Sequence, residues 1–251
     1  MSKLFVEDIS FDDVNDRSYD LAIFACGYEQ RSAYLYSVID KKKIKNKLIF
    51  VFQGNKDLEV AQKNLKVFAS KEPKSCIVVD TSDVLSVIAH VKESIGNLKS
   101  QESEGISILV DYSSMPRLWF SEILNLVRNF GGGLTVGVDF VYSVGEHTQL
   151  DTPRQLGEPI ILPGCEAITT YAKSTVAIIG LGFDSGAPIC IHGKLEPDIT
   201  FAMIARPGAL EDYAKRALSI NSDFIDNSVN EVVYSPLSSV KQTYDLSLIH
   251  I

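Results

Sequence analysis

Leu21-Ala22-Ile23-Phe24-Ala25-Cys26-Gly27 decides the fold. This short, unbroken apolar run ends in a glycine, which is typical of a strand that is buried on both sides of a sheet and followed by a tight turn. Similar apolar runs follow along the first half of the chain at residues 48–52, 76–79, 106–110 and 135–142. Segments with helical features separate them at residues 32–39, 58–68, 84–95 and 118–130. The alternation predicts an α/β fold with a Rossmann-like, doubly wound and mainly parallel sheet.

The second half of the sequence resembles the first. Residues 176–184 match residues 21–29, because each segment is a buried strand followed by a glycine, an aromatic residue and a carboxylate. Two further pairs match in the same order. The strand 199–204 and the helix 210–220 correspond to the strand 48–52 and the helix 58–68. The strand segment 231–236 corresponds to residues 78–82. We therefore predict an internal duplication, with a generic strand–helix rhythm as the alternative.

The predicted organisation is a first lobe at residues 1–142, a linker or covering loop at 143–174 and a partial second lobe at 175–245. Residues 246–251 read LSLIHI, which is the translation of a common transposon-adapter sequence. We therefore expect a non-native tail, a natural chain that continues past Asp245, and a truncated second lobe with an unpaired sheet edge.

Composition excludes several classes of protein. The 251 residues include 24 basic and 32 acidic side chains, for a net charge of −8. This balance argues against sequence-blind nucleic-acid binding, which needs a basic face. The sequence contains neither an apolar run of the roughly 18 residues that a membrane span needs nor a signal-peptide pattern, so we expect a cytoplasmic protein. Its four cysteines and four histidines follow no zinc pattern, and we predict no metal site.

The strongest candidate site is the stretch from Ile108 to Arg117. A buried strand ends in Asp111, two hydroxyl residues follow at Ser113 and Ser114, and Pro116 suits the first turn of a helix. Backbone N–H groups at a helix start bind anions, and Arg117 adds a clamp for phosphate or carboxylate. The alternative is structural: a serine caps the helix and Arg117 pairs with Asp111.

A second candidate lies on the loop after the first strand. Gly27 permits a tight turn or the close approach of a ligand. The side chains that follow suit a nucleotide: Tyr28 for stacking on a base, Glu29 for a sugar hydroxyl and Arg31 for a phosphate. An equally weighted alternative is a capped helix start with Glu29 and Arg31 as a solvated pair. The loop lacks the GxGxxG pattern and the chain lacks a P-loop, so no NAD, FAD or other cofactor is predicted.

The loop from Asp111 to Arg117 resembles the strand-to-helix loop of CARF-type sensor domains. These are Rossmann-like modules of prokaryotic defence that bind signalling nucleotides, with an Asp, small hydroxyl or glycine residues and a basic residue at this place. The sequence departs from them at Met115-Pro116, where those domains commonly have glycine and threonine. SAVED-type sensors, which resemble two fused CARF units, also fit the suspected duplication. The resemblance covers this loop with its flanking strand and helix, and it implies nucleotide sensing together with an effector protein or a homodimer as partner.

Three functions follow as expectations. The preferred one is a binding or sensor protein for a phosphate-bearing small molecule, with a nucleotide as the first choice. Its pocket consists of Gly27, Tyr28, Glu29, Arg31, Asp111, Ser113, Ser114 and Arg117. The second is a hydrolase or glycosyl-type transferase in which Asp111 or Glu29 is the base or nucleophile, and in which Asp111 stays ionised beside a helix start. The third is an interaction scaffold in which these loops are capped turns.

Overall fold

The structure is a computed structural model that describes residues 6–55, 58–70, 72–99, 105–129, 135–145, 157–166 and 174–250. The chain divides into two compact units. The first unit comprises the described residues of Ser10–Gln149 and Ile161–Glu166, and the second unit those of Met1–Ile9, Leu150–Ile160 and Ala167–Ile251. The predicted lobe boundaries at residues 142 and 175 stay predictions.

The apolar runs of the first unit form a five-stranded sheet. Its strands are β1 (Tyr19–Cys26), β2 (Ile44–Phe52), β3 (Cys76–Val79), β4 (Ile106–Asp111) and β5 (Val136–Val141). They lie in the order β3-β2-β1-β4-β5, and every neighbouring pair is parallel. The predicted parallel sheet is therefore confirmed, with the first strand at its centre and the chain reversing direction across the sheet between β3 and β4.

Helices cover both sides of this sheet. They are α1 (Phe11–Asp16), α2 (Tyr34–Val38), α3 (Glu59–Ala69), α4 (Val84–Lys99) and α5 (Arg117–Arg128). On one side, Leu21 and Ile23 of β1 pack in a core with α4 and α5 that includes Trp119. On the other side, the ring of Phe24 lies 5.3 Å from that of Tyr36 in α2. Successive β1 side chains thus enter opposite cores, which explains why the strand is apolar throughout.

The second unit has a three-stranded parallel sheet in the order β6-β7-β8. Its elements are β6 (Val176–Leu181), α6 (Gly186–Leu195), β7 (Ile199–Ala205), α7 (Tyr213–Ile220), α8 (Ser222–Ser228), β8 (Glu231–Ser235) and α9 (Val240–His250). The strands occupy the predicted positions, and their order matches that of β1, β2 and β3. The duplication itself stays a prediction. Because α9 continues through Asp245 to His250, the tail residues up to His250 are helical here, and their origin also stays a prediction.

Some expectations fall outside the described residues. These are the last residue of the helical segment predicted at residues 118–130 and most of the predicted linker, at residues 146–156 and 167–173. The helices α1, α6, α8 and α9 were not predicted from the sequence. None of the helices in the described part of the chain has the length and apolarity that crossing a membrane requires.

Candidate functional site

The two central strands of the first unit separate before they end. Strands β1 and β4 pair from Leu21↔Ile108 to Ile23↔Val110. Beyond that point β1 continues beside β2 as far as Cys26, and β4 continues beside β5 as far as Asp111. We call the place where β1 and β4 separate the switch point. In doubly wound sheets, ligands bind outside the carboxyl ends of the strands at this position.

Asp111 ends β4 at the switch point and is only 2% exposed. Its Oδ1 accepts hydrogen bonds from the backbone N–H of Ser113 at 3.1 Å and from the Ser113 hydroxyl at 2.5 Å. Its Oδ2 is buried and has no hydrogen-bond partner among the described residues. Burial raises the pKa of Asp111 to about 6, although both Ser113 bonds and the charge of Arg31 act to lower it.

The expectation that Asp111 stays ionised is not contradicted, because a group with a pKa of about 6 is still mostly ionised at pH 7, but the helix start is not what sets its pKa. Helix α5 begins only at Arg117, and the desolvation cost of the buried carboxyl group is larger than its hydrogen bonds offset. A carboxyl group with a pKa near 6 exchanges protons near neutral pH, which suits acid–base chemistry better than permanent ionisation does.

The two serines after Asp111 do not cap α5. The N-cap is Pro116, and no side chain accepts a hydrogen bond there, so the capping alternative is wrong. The Ser113 hydroxyl accepts from the backbone N–H of Ser143 at 2.8 Å and thereby ties the end of β4 to the segment after β5. The Ser114 hydroxyl is buried and has no partner among the described residues.

At Gly27, the loop after β1 lies against Phe52 and Ser114. A Cβ atom built on Gly27 would lie 3.0 Å from the Phe52 ring and 3.3 Å from the Ser114 Cβ, so a larger residue requires these neighbours to shift by a few tenths of an ångström. The Gly27 N–H donates to the Ser32 hydroxyl at 2.8 Å, and Asn64 donates through Nδ2 to the Gly27 carbonyl at 2.9 Å. The close approach that the sequence predicted for Gly27 is to the protein's own serine and phenylalanine.

Arg31 connects this loop to the end of β5. Its Nε donates to Glu29 Oε2 at 2.5 Å, and its Nη1 donates to the Tyr142 hydroxyl and, at 3.4 Å, to the Ser143 carbonyl. The guanidinium carbon also lies 4.8 Å from the centre of the Tyr142 ring. The predicted Glu29–Arg31 pair therefore exists, but it is not a simple solvated pair, because Arg31 is held on the end of β5. Arg31 Nη2 has no hydrogen-bond partner among the described residues.

The structure thus brings six of the eight predicted residues together. We call Gly27, Glu29, Arg31, Asp111, Ser113 and Ser114 the switch-point site. Tyr28 is half exposed and Arg117 is exposed in the first turn of α5. Arg117 forms no ion pair with Asp111, so that part of the structural alternative is also wrong. That Tyr28 and Arg117 contact a ligand stays a prediction.

Sequence reasoning missed Asn64 and Ser32, which shape the loop. Asn64 lies in α3 between the buried residues Ala61 and Phe68, and its Nδ2 also donates to the Glu29 carbonyl at 2.8 Å. The available signal was an asparagine on the apolar side of an amphipathic helix, since a polar group there must find a partner. Ser32 gives no comparable signal because it lies in a short 3-10 turn, Gln30–Ala33.

The corresponding loop of the second unit is closed by its own side chains. Asn221 donates through Nδ2 to the Gly182 carbonyl at 2.9 Å, as Asn64 does to Gly27. Here, however, the ring of Tyr213 lies 4.7 Å from that of Phe183, and its hydroxyl lies 3.5 Å from a Cβ built on Gly182. Arg206, which follows β7, is exposed and lies over the ring of Tyr234.

No family model, curated protein or solved structure matches this chain. The resemblance to CARF and SAVED sensors therefore stays a prediction. Within the described residues, no group of three or more histidine, cysteine or carboxylate side chains is arranged to hold a metal ion.

A surface depression at the opposite, amino-terminal edge of the sheet is a weaker candidate. It is lined in part by Lys45, Lys47 and Glu72. Its lysines are already paired, Lys45 with Asp20 at 2.8 Å and Lys47 with Glu72 at 3.0 Å. The switch-point site is preferred because it has unpartnered polar atoms in addition to its position in the fold.

Proposed function

We propose that the protein binds a phosphate-bearing small molecule, best a nucleotide, at the switch point of the first unit. One observation carries this proposal: Asp111 Oδ2 and Ser114 Oγ are both buried without a partner among the described residues where β1 and β4 separate. A buried polar atom without a partner costs about 1–3 kcal/mol. Two such atoms do not stabilise the fold, and they lie at the place where this class of sheet binds ligands.

The charges at the site suggest how a nucleotide would lie. Arg31 is the cation whose charge acts on the buried carboxyl group, and its free Nη2 suits phosphate oxygens. Asp111 and Ser114 suit hydroxyl or N–H groups of the uncharged part of the ligand, since an ionised carboxylate repels phosphate. The exposed Tyr28 ring is placed for stacking, and the exposed Arg117 adds a second cation on the first turn of α5.

The wider role follows from the resemblance and belongs to the same proposal. A nucleotide sensor of prokaryotic defence would act in the cytoplasm and pass its signal to an effector protein or through a homodimer. The parallel sheet order and the position of the Asp111 loop at the switch point are compatible with that role.

Isothermal titration calorimetry of the full chain tests the proposal. The ligands are mononucleotides, linear and cyclic dinucleotides, phosphosugars and inorganic phosphate. We expect at least one nucleotide to bind, Arg31→Ala to weaken it about tenfold or more, and Arg117→Ala to weaken it less, because Arg117 is exposed. Lys47→Ala, at the opposite edge of the sheet, is the control for loss of one positive charge. If no phosphorylated compound binds to folded protein, the proposal is wrong.

A second function, catalysis on a nucleotide or phosphosugar, is favoured by the pKa of Asp111 near 6 and by its unpartnered Oδ2. In that reaction Asp111 would be the general acid or base. Glu29 is less suited to this role because its carboxylate is paired with Arg31. Loss of product formation in Asp111→Asn with ligand binding retained would support catalysis, whereas unchanged turnover would exclude this role for Asp111.

A further inference from the structure

The Glu29–Arg31 pair has an asymmetry that bears on ligand binding. Arg31 is the less exposed partner, with 21% of its side chain accessible against 39% for Glu29. Arg31 also has supports that do not involve Glu29: the Tyr142 hydroxyl, the Ser143 carbonyl and the face of the Tyr142 ring. Removing the Glu29 carboxylate would therefore leave the guanidinium in place.

The backbone of Glu29 is fixed although its carboxylate is only singly bonded. Its carbonyl accepts hydrogen bonds from Asn64 Nδ2 at 2.8 Å and from the Ser32 N–H at 3.0 Å. Its carboxylate makes one hydrogen bond among the described residues, to Arg31 Nε. The side chain can therefore leave Arg31 by rotating about its own bonds, without a change in the loop.

The position of that bond on the guanidinium matters. Nε and Nη2 point to the same side of an arginine, and this pair of donors forms the fork that binds two oxygens of a phosphate. Glu29 occupies Nε and leaves Nη2 empty, whereas Tyr142 and Ser143, just after β5, occupy Nη1. Glu29 thus occupies one of the two Arg31 donors that a phosphate would use.

We propose that Glu29 is an internal competitor, whose carboxylate holds the phosphate-binding side of Arg31 until a ligand's phosphate displaces it. This inference rests on the proposed function and gives Glu29 a role opposite to that of a ligand-binding residue. It sets a threshold for binding: an anion must interact with Arg31 better than the tethered carboxylate does. A phosphate with two oxygens on the fork meets that condition, and a singly bonded carboxylate does not.

The test is calorimetric titration of the full chain with inorganic pyrophosphate at pH 7.5. We expect Glu29→Gln to bind pyrophosphate about two- to fivefold more tightly than the unaltered protein, the upper part of the range for release of a partly exposed ion pair. Glu72→Gln is the matched control, because it removes the same charge from an ion pair at the opposite edge of the same sheet. It should change the affinity by less than about twofold.

A double-variant comparison connects the gain to Arg31. In an Arg31→Lys background, which keeps the charge but removes the fork, Glu29→Gln should give a smaller gain in pyrophosphate affinity than it gives with Arg31 present. Weaker or unchanged binding by Glu29→Gln overturns the inference, and so does an equal gain in Glu72→Gln. If nucleotides bind and Arg31→Ala abolishes their binding while Glu29→Gln gives no gain, only the competitor role fails. If neither pyrophosphate nor any nucleotide binds to either protein, the proposed function fails with it.

Discussion

Replacing Asp111 by asparagine should stabilise the protein at neutral pH and do nothing in acid. The folded-state pKa of Asp111 is about 6, above the ordinary value of 3.8, because burial disfavours the charged form. The folded protein therefore holds this proton more tightly than the unfolded chain does. The contribution of Asp111 to the free energy of unfolding is therefore fully present below about pH 4, and it is lost as the pH rises through about 6.

The expected size follows from that difference in pKa. A difference of about two pKa units corresponds to about 3 kcal/mol at about pH 8. The amide introduced by Asp111→Asn stays neutral at every pH and keeps an oxygen in the place that accepts the Ser113 bonds. The amide nitrogen of asparagine takes the place of the partnerless Oδ2 and is a hydrogen-bond donor there, as a protonated Oδ2 would be. The variant and the unaltered protein should therefore be equally stable near pH 4. Above about pH 7 the variant should be more stable by up to about 3 kcal/mol.

Urea unfolding between pH 4 and pH 8 measures this difference. The single tryptophan, Trp119, is fully buried in the first unit's core and reports unfolding through its fluorescence. Taking the difference between the two proteins removes the titration of all other groups. The control is Asp139→Asn, which removes a carboxylate bonded to Arg17 at 2.9 Å and Tyr19 at 2.7 Å and should destabilise at pH 8. If Asp111→Asn is less stable than the unaltered protein at pH 8, or if the difference is the same at every pH, the reasoning is wrong.

Three further substitutions test the packing around the site. Gly27→Ala should cost about 1–3 kcal/mol in urea unfolding because its Cβ forces the packed Phe52 ring or Ser114 to shift, while Gly54→Ala, whose Cβ meets no described atom within 4 Å, should cost little. Trp119→Phe removes the 3.1 Å hydrogen bond to the Thr81 carbonyl and should cost about 1–3 kcal/mol, measured by circular dichroism in urea. Arg117→Glu places an anion in the first turn of α5 and should raise the free energy of unfolding by about 0.3–1 kcal/mol; a decrease would reveal an anionic partner for Arg117.

The strands were predictable because all are apolar along most of their length, with β1 and β4 buried almost throughout and edge strands such as β5 buried only in part. Several helices were not, because their sequences lack an apolar stripe. Helix α6 begins with Gly186-Ala187-Pro188, a sequence that is typical of a loop. Asp184 Oδ1 nevertheless accepts hydrogen bonds from the backbone N–H groups of Gly186 and Ala187, and a helix begins there. Such caps depend on side-chain geometry that periodicity does not reveal.

The site was predictable only in part for a similar reason. Asp111 and Ser113 end or follow a buried strand, and that position alone indicates the binding edge of the sheet. The reasoning about the charge of Asp111 was incomplete because it was argued from the nearest helix, whereas burial raises the pKa to about 6. Tyr142, which holds Arg31, lies just after β5 and 111 residues away in sequence, and no local pattern predicts that contact.

The duplication stays a prediction, although the two units share one detail of the loop after their first strand. In both, a buried asparagine donates to the carbonyl of the glycine there, but Asn64 lies within α3 whereas Asn221 follows α7, so the two do not occupy matching positions of the predicted repeat. Asn64 makes this bond to Gly27 and Asn221 makes it to Gly182, each at 2.9 Å. The two loops then differ in what lies beside the glycine, because Tyr213 fills that place in the second unit. Because the glycine of the second loop is covered in this way, the first unit is the one to test for ligand binding.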